Sequence, residues 1–99
     1  MLWLLEHTAR YPRHERFRLA RRIDDAIFAF HECLIRAASD GEAARVHLSQ
    51  ADVELIKLRA YLRLALELKY TAPSQFGYAA QQTAELGRLL GGWLKTLGT

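Results

Sequence analysis

The sequence is poor in cysteine, which cross-links many secreted domains, and in the proline and β-branched residues that are common in β-rich domains. Its 99 residues include one cysteine, Cys33, and two prolines, and β-branched residues are few. A single cysteine excludes an intrachain disulfide and suits a reducing compartment. The scarcity of proline and of β-branched residues argues against an all-β fold. Half of the residues are apolar, which argues against disorder, so we expect residues 1–99 to form one domain.

Long apolar runs are also missing. No stretch approaches the roughly 20 residues that a membrane-spanning helix needs. Residues 1–7 are apolar but have no basic flank, and Glu6 interrupts them, so a signal peptide is not expected. These features predict a soluble cytoplasmic protein with no membrane partner.

The patterns that carry catalysis or bind metals are absent from the sequence. His31 and Cys33 are two residues apart, so they do not face one another on a helix. His7, His14 and His47 are scattered and form no pair at metal-ligand spacing. The sequence also has no glycine loop of the phosphate-binding type. We therefore expect no enzyme, no cofactor and no metal site, and we expect the histidines to be surface residues or satisfied interior residues.

Positive charge is present, and it is concentrated in residues 10–22. Six of the fourteen Lys and Arg residues lie there against one acid, Glu15, which gives this segment a formal charge of +5. The other residues carry eight bases and ten acids, a charge of −2. Charge concentrated in this way predicts a binding surface for a polyanion, and the alternative is a solvated helix face. The six basic residues are Arg10, Arg13, Arg16, Arg18, Arg21 and Arg22.

Apolar periodicity predicts an all-α fold, an antiparallel up-down-up-down four-helix bundle. The helices are expected at about residues 1–10, 13–38, 42–69 and 73–97. Pro12 and Pro73 suit first helical turns, and Ser39, Asp40 and Gly41 form the break between the second and third helices. The second helix should turn Arg18, Arg21 and Arg22 away from an apolar face made by Phe17, Ala20, Ile23, Ile27, Phe30 and Leu34.

The third predicted helix carries two apolar stripes. The first has the spacing of a bundle seam and consists of Leu48, Ala51, Leu55, Leu58, Leu62 and Ala65. A surface helix in a monomeric bundle needs only one stripe, so the second stripe predicts an oligomer interface. Tolerated exposed aliphatics are the alternative. The interface residues would be Val53, Ile56, Ala60 and Leu64, with Val46 preceding them.

Two further features concern the third and fourth helices. Arg59 and Arg63 lie four residues apart between the two stripes, and they are either a second basic strip or arginines that lie over the bundle surface. Gly87 and Gly91 lie four residues apart in the fourth helix, where each glycine costs about 1 kcal/mol relative to alanine. This spacing predicts the close approach of another backbone.

The order of these motifs resembles a known family over essentially the whole chain. The matching segments are Leu2–Leu5, Pro12–Arg13 with Arg16–Phe17 and Leu19, Arg22–Ile23 with Asp25–Ala26, Leu58–Arg59, Leu62–Ala65 and Glu85–Leu94. Together they are similar to the accessory variability determinant (Avd) family of diversity-generating retroelements, within the wider set of bacterial four-helix-bundle proteins. The chain departs from the family pattern near its start, where members usually carry more of the first helix.

The resemblance implies a non-enzymatic accessory protein. Avd-like proteins form homopentamers of four-helix bundles that associate with the retroelement's reverse transcriptase and its template RNA, in support of error-prone copying. The residues carried over by motif are Arg13, Arg16, Arg22, Arg59 and Arg63, whereas Arg10, Arg18 and Arg21 are candidates on charge alone.

Two other functions fit the same residues. An oligomeric scaffold would use the arginines to dock acidic groups of protein partners only. A membrane-surface protein would use the basic helix as a lipid binder, but the bundle core needs the apolar face of that helix.

Overall fold

The computed structural model describes residues 1–97, most of which are helical, with no strand among them. The four α-helices are α1 (Leu2–Thr8), α2 (Leu19–Ser39), α3 (Ala44–Glu67) and α4 (Pro73–Thr96). Short 3₁₀ turns, Arg13–Glu15 and Gly41–Ala43, precede α2 and α3. Within residues 1–97, no helix has the length and the apolar character required to cross a bilayer. The predicted all-helical fold is confirmed.

The predicted start of the second helix is wrong. Pro12 suits a first helical turn and the apolar period extends back to Phe17, so the sequence predicted a helix from about residue 13. In the structure the 3₁₀ turn ends at Glu15, and Arg18 has φ −113° and ψ −101°, outside the helical region. Helix α2 therefore begins at Leu19, and Phe17 lies outside its apolar face with 75% of its surface exposed.

The core is formed mainly by the facing sides of α2 and α3. All six residues of the predicted seam of α3 are buried, which confirms that prediction. Leu4 of α1 and Ala79 and Leu90 of α4 complete the same cluster. Each fully buried leucine or isoleucine contributes about 1.5–3 kcal/mol relative to an exposed one. The buried α2 residues of this cluster are Leu19, Ala20, Ile23, Ala26, Ile27, Phe30, Cys33 and Ala37.

Gly87 makes room for a side chain and not for another backbone. A Cβ atom at Gly87 would lie 2.9 Å from Nη2 of Arg59, on the neighbouring helix α3. At Gly91 and Gly92, within residues 1–97, a Cβ atom would meet no atom within 4 Å apart from its chain neighbours and the nearby backbone of α4 itself. The predicted close approach of a backbone at Gly87 and Gly91 is therefore wrong for residues 1–97.

Helix α3 ends in a left-handed turn at Lys69, whose φ is 67°. The backbone N–H of Lys69 donates to the carbonyl of Leu66 and that of Tyr70 donates to the carbonyl of Ala65, both at 3.0 Å. These are the two hydrogen bonds of a Schellman motif, in which glycine is the usual left-handed residue. The turn directs Tyr70 and Thr71 toward the segment that joins α1 to α2, and Pro73 then begins α4 as predicted.

Candidate nucleic-acid interface

The segment between α1 and α2, residues 9–18, is called the basic linker below. Its one acid, Glu15, is fully buried, although four of the six arginines of residues 10–22 surround it in the sequence. Arg18 donates from Nε to Oε1 of Glu15 at 2.7 Å and from Nη2 to Oε2 at 2.5 Å. The hydroxyl of Tyr70, from the loop between α3 and α4, donates to Oε2 at 2.6 Å. Glu15 therefore anchors the linker to a loop distant in the sequence.

These contacts keep Glu15 ionised. The hydrogen bonds from Arg18, followed by the one from Tyr70, lower the pKa of Glu15 to about 2, and burial opposes this shift. The backbone N–H of Leu19, the first residue of α2, makes a smaller contribution to the lowered pKa. A carboxylate at the N-terminus of a helix is also favoured by the helix dipole. Glu15 thus stabilises both the linker and the start of α2.

Aromatic and histidine side chains fasten α1 to the same loop. The ring of His7 stacks on Trp3 with centroids 5.0 Å apart, and its Nε2 lies 2.8 Å from Oγ1 of Thr71. The hydroxyl of Tyr11 also lies 2.8 Å from Oγ1 of Thr71, and the Tyr11 ring lies 5.5 Å from that of Tyr70. Burial, together with the charge of Arg10, lowers the pKa of His7, so His7 is neutral at neutral pH.

The six arginines of residues 10–22 are all exposed, but they are not equally free. Arg18 is bound to Glu15, and Nε of Arg21 lies 3.8 Å from the carboxylate of Asp25. The remaining four have no ion-pair partner within residues 1–97, so they are the arginines available to an anionic ligand: Arg10, Arg13, Arg16 and Arg22.

Arg13 and Arg16 meet in a cleft of about 450 Å³ between α1, the basic linker and α2. Tyr11 and the half-buried Asp24 also line this cleft. Oδ1 of Asp24 accepts a hydrogen bond of 2.6 Å from the hydroxyl of Thr8, which fixes α1 against α2. Burial raises the pKa of Asp24, with smaller opposing and reinforcing effects from Thr8 and Asp25.

Arg22 lies in a different groove, between α2 and α3. This groove has a volume of about 340 Å³, and Tyr61, Leu64 and Leu68 form its apolar side. Arg18 also lines it. The structure therefore brings two arginines of residues 10–22 into the same groove as Leu64, which belongs to the predicted oligomer interface.

The second apolar stripe of α3 has no cover within residues 1–97. Its large side chains are 42–58% exposed and Ala60 is also exposed, whereas the seam on the opposite side of the helix is buried. Single exposed aliphatic side chains are normal on protein surfaces, but this is a row of them along one helix. The large side chains are Val46, Val53, Ile56 and Leu64.

Arg59 and Arg63 lie on the side of α3 that faces α4. Nη2 of Arg59 donates to the backbone carbonyl of Thr83 at 3.1 Å. The guanidinium of Arg63 lies 5.9 Å from the centroid of the Phe76 ring, within the range of a cation–π interaction. Both side chains remain exposed, but each has a contact that ties it to α4.

The sequence alone did not identify Glu15 or Tyr70 as residues of this site. The spacing of three residues between Glu15 and Arg18 was visible, but Tyr70 lies 55 residues further along the chain, where only the fold reveals its position. Among the described residues, no group of three or more His, Cys, Asp and Glu side chains is placed to hold a metal ion.

Comparison with known proteins gives one positive result. A family model described as bAvd-like matches residues 1–97 of the chain. No curated protein and no solved structure matches the chain. The family match covers almost the full sequence and includes α1, the basic linker and all of α2, α3 and α4. The chain is therefore a member of the bAvd-like family, the Avd-type proteins of diversity-generating retroelements, as the order of its motifs indicated.

Proposed function

We propose that this chain is a non-enzymatic accessory protein of a diversity-generating retroelement, which binds the reverse transcriptase and its template RNA in the cytoplasm. The observation that carries the RNA part is the basic linker, in which Arg10, Arg13 and Arg16 are exposed and have no ion-pair partner within residues 1–97. The buried carboxylate of Glu15 anchors this segment. Its family membership supports the accessory role.

RNA binding at this surface would be electrostatic and weakly sequence-specific. Residues 1–97 are without a sheet whose aromatic residues could read bases, so phosphates are the groups that the arginines suit. Arg10, Arg13 and Arg16 project from the linker, and Arg22 continues the positive surface onto α2. Binding to phosphates releases counterions, and affinity should therefore fall steeply as salt is added.

The assembly proposed with this function is an antiparallel four-helix bundle that forms a homo-oligomer, a pentamer by family resemblance. Thr8 contacts Asp24 near the start of α2, and Trp3 contacts Tyr78 within α4 while His7 contacts Thr71 before it. These pairs support alternating helix directions. The uncovered stripe of α3 supports the oligomer interface, and each added subunit would repeat the basic surface along a bound RNA.

The RNA proposal is tested by comparing two triple variants that remove the same charge. One changes Arg13, Arg16 and Arg22 to Ala. The matched control changes three exposed arginines outside residues 10–22, Arg36, Arg45 and Arg88, to Ala. Fluorescence anisotropy with single-stranded RNA is measured over a range of salt concentrations. For the wild type, the logarithm of the association constant should fall linearly with the logarithm of the salt concentration, with a slope near −0.7 for each phosphate neutralised.

Only the first variant should bind weakly and show a flatter salt slope. Equal affinities of the two variants would show that the basic linker is a solvated surface. Arg59 and Arg63 are tested separately, by co-purification with the reverse transcriptase, since their position beside α4 suits a protein partner better than an RNA that follows the linker.

A second candidate function is an oligomeric scaffold that binds only proteins. It is favoured by the groove that joins Arg22 to the apolar side chains of Tyr61, Leu64 and Leu68, a combination suited to a protein segment. A scaffold of this kind would show no salt-dependent RNA binding in the wild-type protein, while it would still bind the polymerase.

A further inference from the structure

Phe17 is the most exposed large apolar side chain within residues 1–97, with 75% of its surface accessible. Helical periodicity placed it on the buried face of α2, but the structure places it in the basic linker, one residue after Arg16 and one before Arg18. An exposed phenylalanine forgoes the stabilisation that burial of its ring would give. A single exposed aromatic is not unusual by itself, so its surroundings decide what it does.

The turn that carries Phe17 is closed on itself. The side chains of Glu15 and Arg18 meet through two hydrogen bonds, and the backbone N–H of Arg18 donates to the carbonyl of Glu15 at 3.1 Å. Arg16 and Phe17, the two residues between them, are left on the solvent side of the turn. Because Glu15 is buried and bound to Tyr70, the turn is held in place before any ligand arrives. A ligand that contacts Phe17 would therefore pay little of the ordering cost that a loose loop imposes.

The charges around Phe17 indicate the chemistry of that ligand. Arg13 and Arg16 precede it without acidic partners in residues 1–97, so a ligand on this turn should be anionic. A flat apolar ring on the same short linker as two exposed arginines suits an unpaired nucleobase, whose face stacks on the ring while its phosphates contact the arginines. Binding to a membrane surface would need a row of apolar side chains on one face. The linker exposes a single large apolar side chain, that of Phe17.

We propose that Phe17 is a stacking platform for an unpaired base of a single-stranded nucleic acid, with Arg13 and Arg16 binding the adjacent phosphates. This inference rests on the proposed RNA-binding function and adds a contact that depends on bases. Stacking on an aromatic side chain tolerates every base, so it adds affinity without adding sequence specificity.

The test compares Phe17→Ala with Phe28→Ala as a matched control. Phe28 is also an exposed phenylalanine, at 54%, but it lies on the outer face of α2 with Asp24, Asp25 and Glu32 within one helical turn. Two probes of equal length are used: oligo-dT, and the same deoxyribose-phosphate backbone without bases. Circular dichroism checks that each variant keeps its helical content, which loss of an exposed ring should not change.

Phe17→Ala should raise the dissociation constant for oligo-dT about tenfold or more, in keeping with the loss of one base–aromatic stack. It should leave the affinity for the base-free backbone and the salt slope unchanged. Phe17→Trp should bind oligo-dT at least as tightly as the wild type, and Phe28→Ala should match the wild type on both probes.

Three results would overturn the inference, and they are distinguishable. If Phe17→Ala binds oligo-dT as tightly as the wild type, the ring does not stack on bases, although electrostatic RNA binding stands. If the variant weakens both probes equally, Phe17 acts through the shape of the linker. If the wild type binds neither probe but binds vesicles of anionic lipid through Phe17, both the inference and the proposed RNA binding fail.

Discussion

At the scale of single residues, Glu15 links the stability of the linker to pH. Its pKa is about 2 in the folded chain, below the ordinary value of 4.5, because Arg18 and Tyr70 donate to the ionised form. A carboxyl group with a lowered folded pKa stabilises the fold above its unfolded pKa and loses that contribution as the pH falls through the folded value. The contribution of Glu15 should therefore be complete above about pH 4.5 and disappear toward about pH 2.

Glu15→Gln should lower stability at neutral pH and flatten the acid limb of the stability curve. The amide keeps the size of the side chain but offers no charge to Arg18. Urea unfolding, followed by circular dichroism at a series of pH values, measures both effects, with the exposed Glu42→Gln as control. An acid limb parallel to that of the wild type would show that Glu15 does not set it.

Lys69 has a left-handed backbone conformation that the fold imposes. A left-handed backbone costs a residue with a side chain about 1–2 kcal/mol, and glycine avoids this cost but loses about 0.5–1 kcal/mol through its flexible unfolded state. Lys69→Gly should therefore raise the free energy of unfolding, by up to about 1 kcal/mol. Lys57→Gly, in the middle of α3, is the matched control and should lower it by about 1 kcal/mol. A Lys69→Gly protein less stable than the wild type would contradict the strain argument.

At the scale of helices, the sequence predicted what depends on periodicity and missed what depends on distant contacts. The seam of α3 was predicted in full because its 3–4 spacing persists over several turns. The start of α2 was missed because Phe17 continues the apolar spacing of α2 toward the N-terminus without belonging to the helix. The buried Glu15, bound to Tyr70, lies in the non-helical segment before Leu19. No local signal marks a buried glutamate among arginines. The contact between Arg59 and Gly87 was missed for the same reason. The sequence showed Arg59 between the two stripes of α3 but gave no sign that its side chain lies over Gly87 of α4.

The two stripes of α3 should respond differently to a single acidic residue. Leu58→Asp buries an unpaired charge in the seam and should unfold the bundle. Ile56→Glu, on the second stripe, alters a side chain that is 55% exposed and should leave the helical content unchanged. If the stripe is an oligomer interface, Ile56→Glu should lower the mass measured by light scattering. A wild-type protein that has the 11.3 kDa mass of a monomer at micromolar concentration would remove the basis for that interface.

At the scale of the whole molecule, the uncovered stripe of α3 predicts that stability depends on protein concentration. Association that occurs only in the folded state shifts the unfolding equilibrium by mass action. The midpoint of thermal unfolding should therefore rise as the protein is concentrated, and Ile56→Glu should abolish the rise. A midpoint that is constant over a wide range of wild-type concentrations would instead indicate a stable monomer, with the stripe as a row of tolerated aliphatics.

The bond between Tyr70 and Glu15 also has a consequence for protease digestion. Trypsin cuts after arginine and lysine, and this junction holds Arg13, Arg16 and Arg18 on one side and Lys69 on the other. A folded segment is cut only when it opens locally, and segments fastened together open together. Early digestion should therefore release fragments from cuts at both loops with the same time course, although the loops lie more than fifty residues apart. Tyr70→Phe should speed both cuts, while bound RNA should slow them.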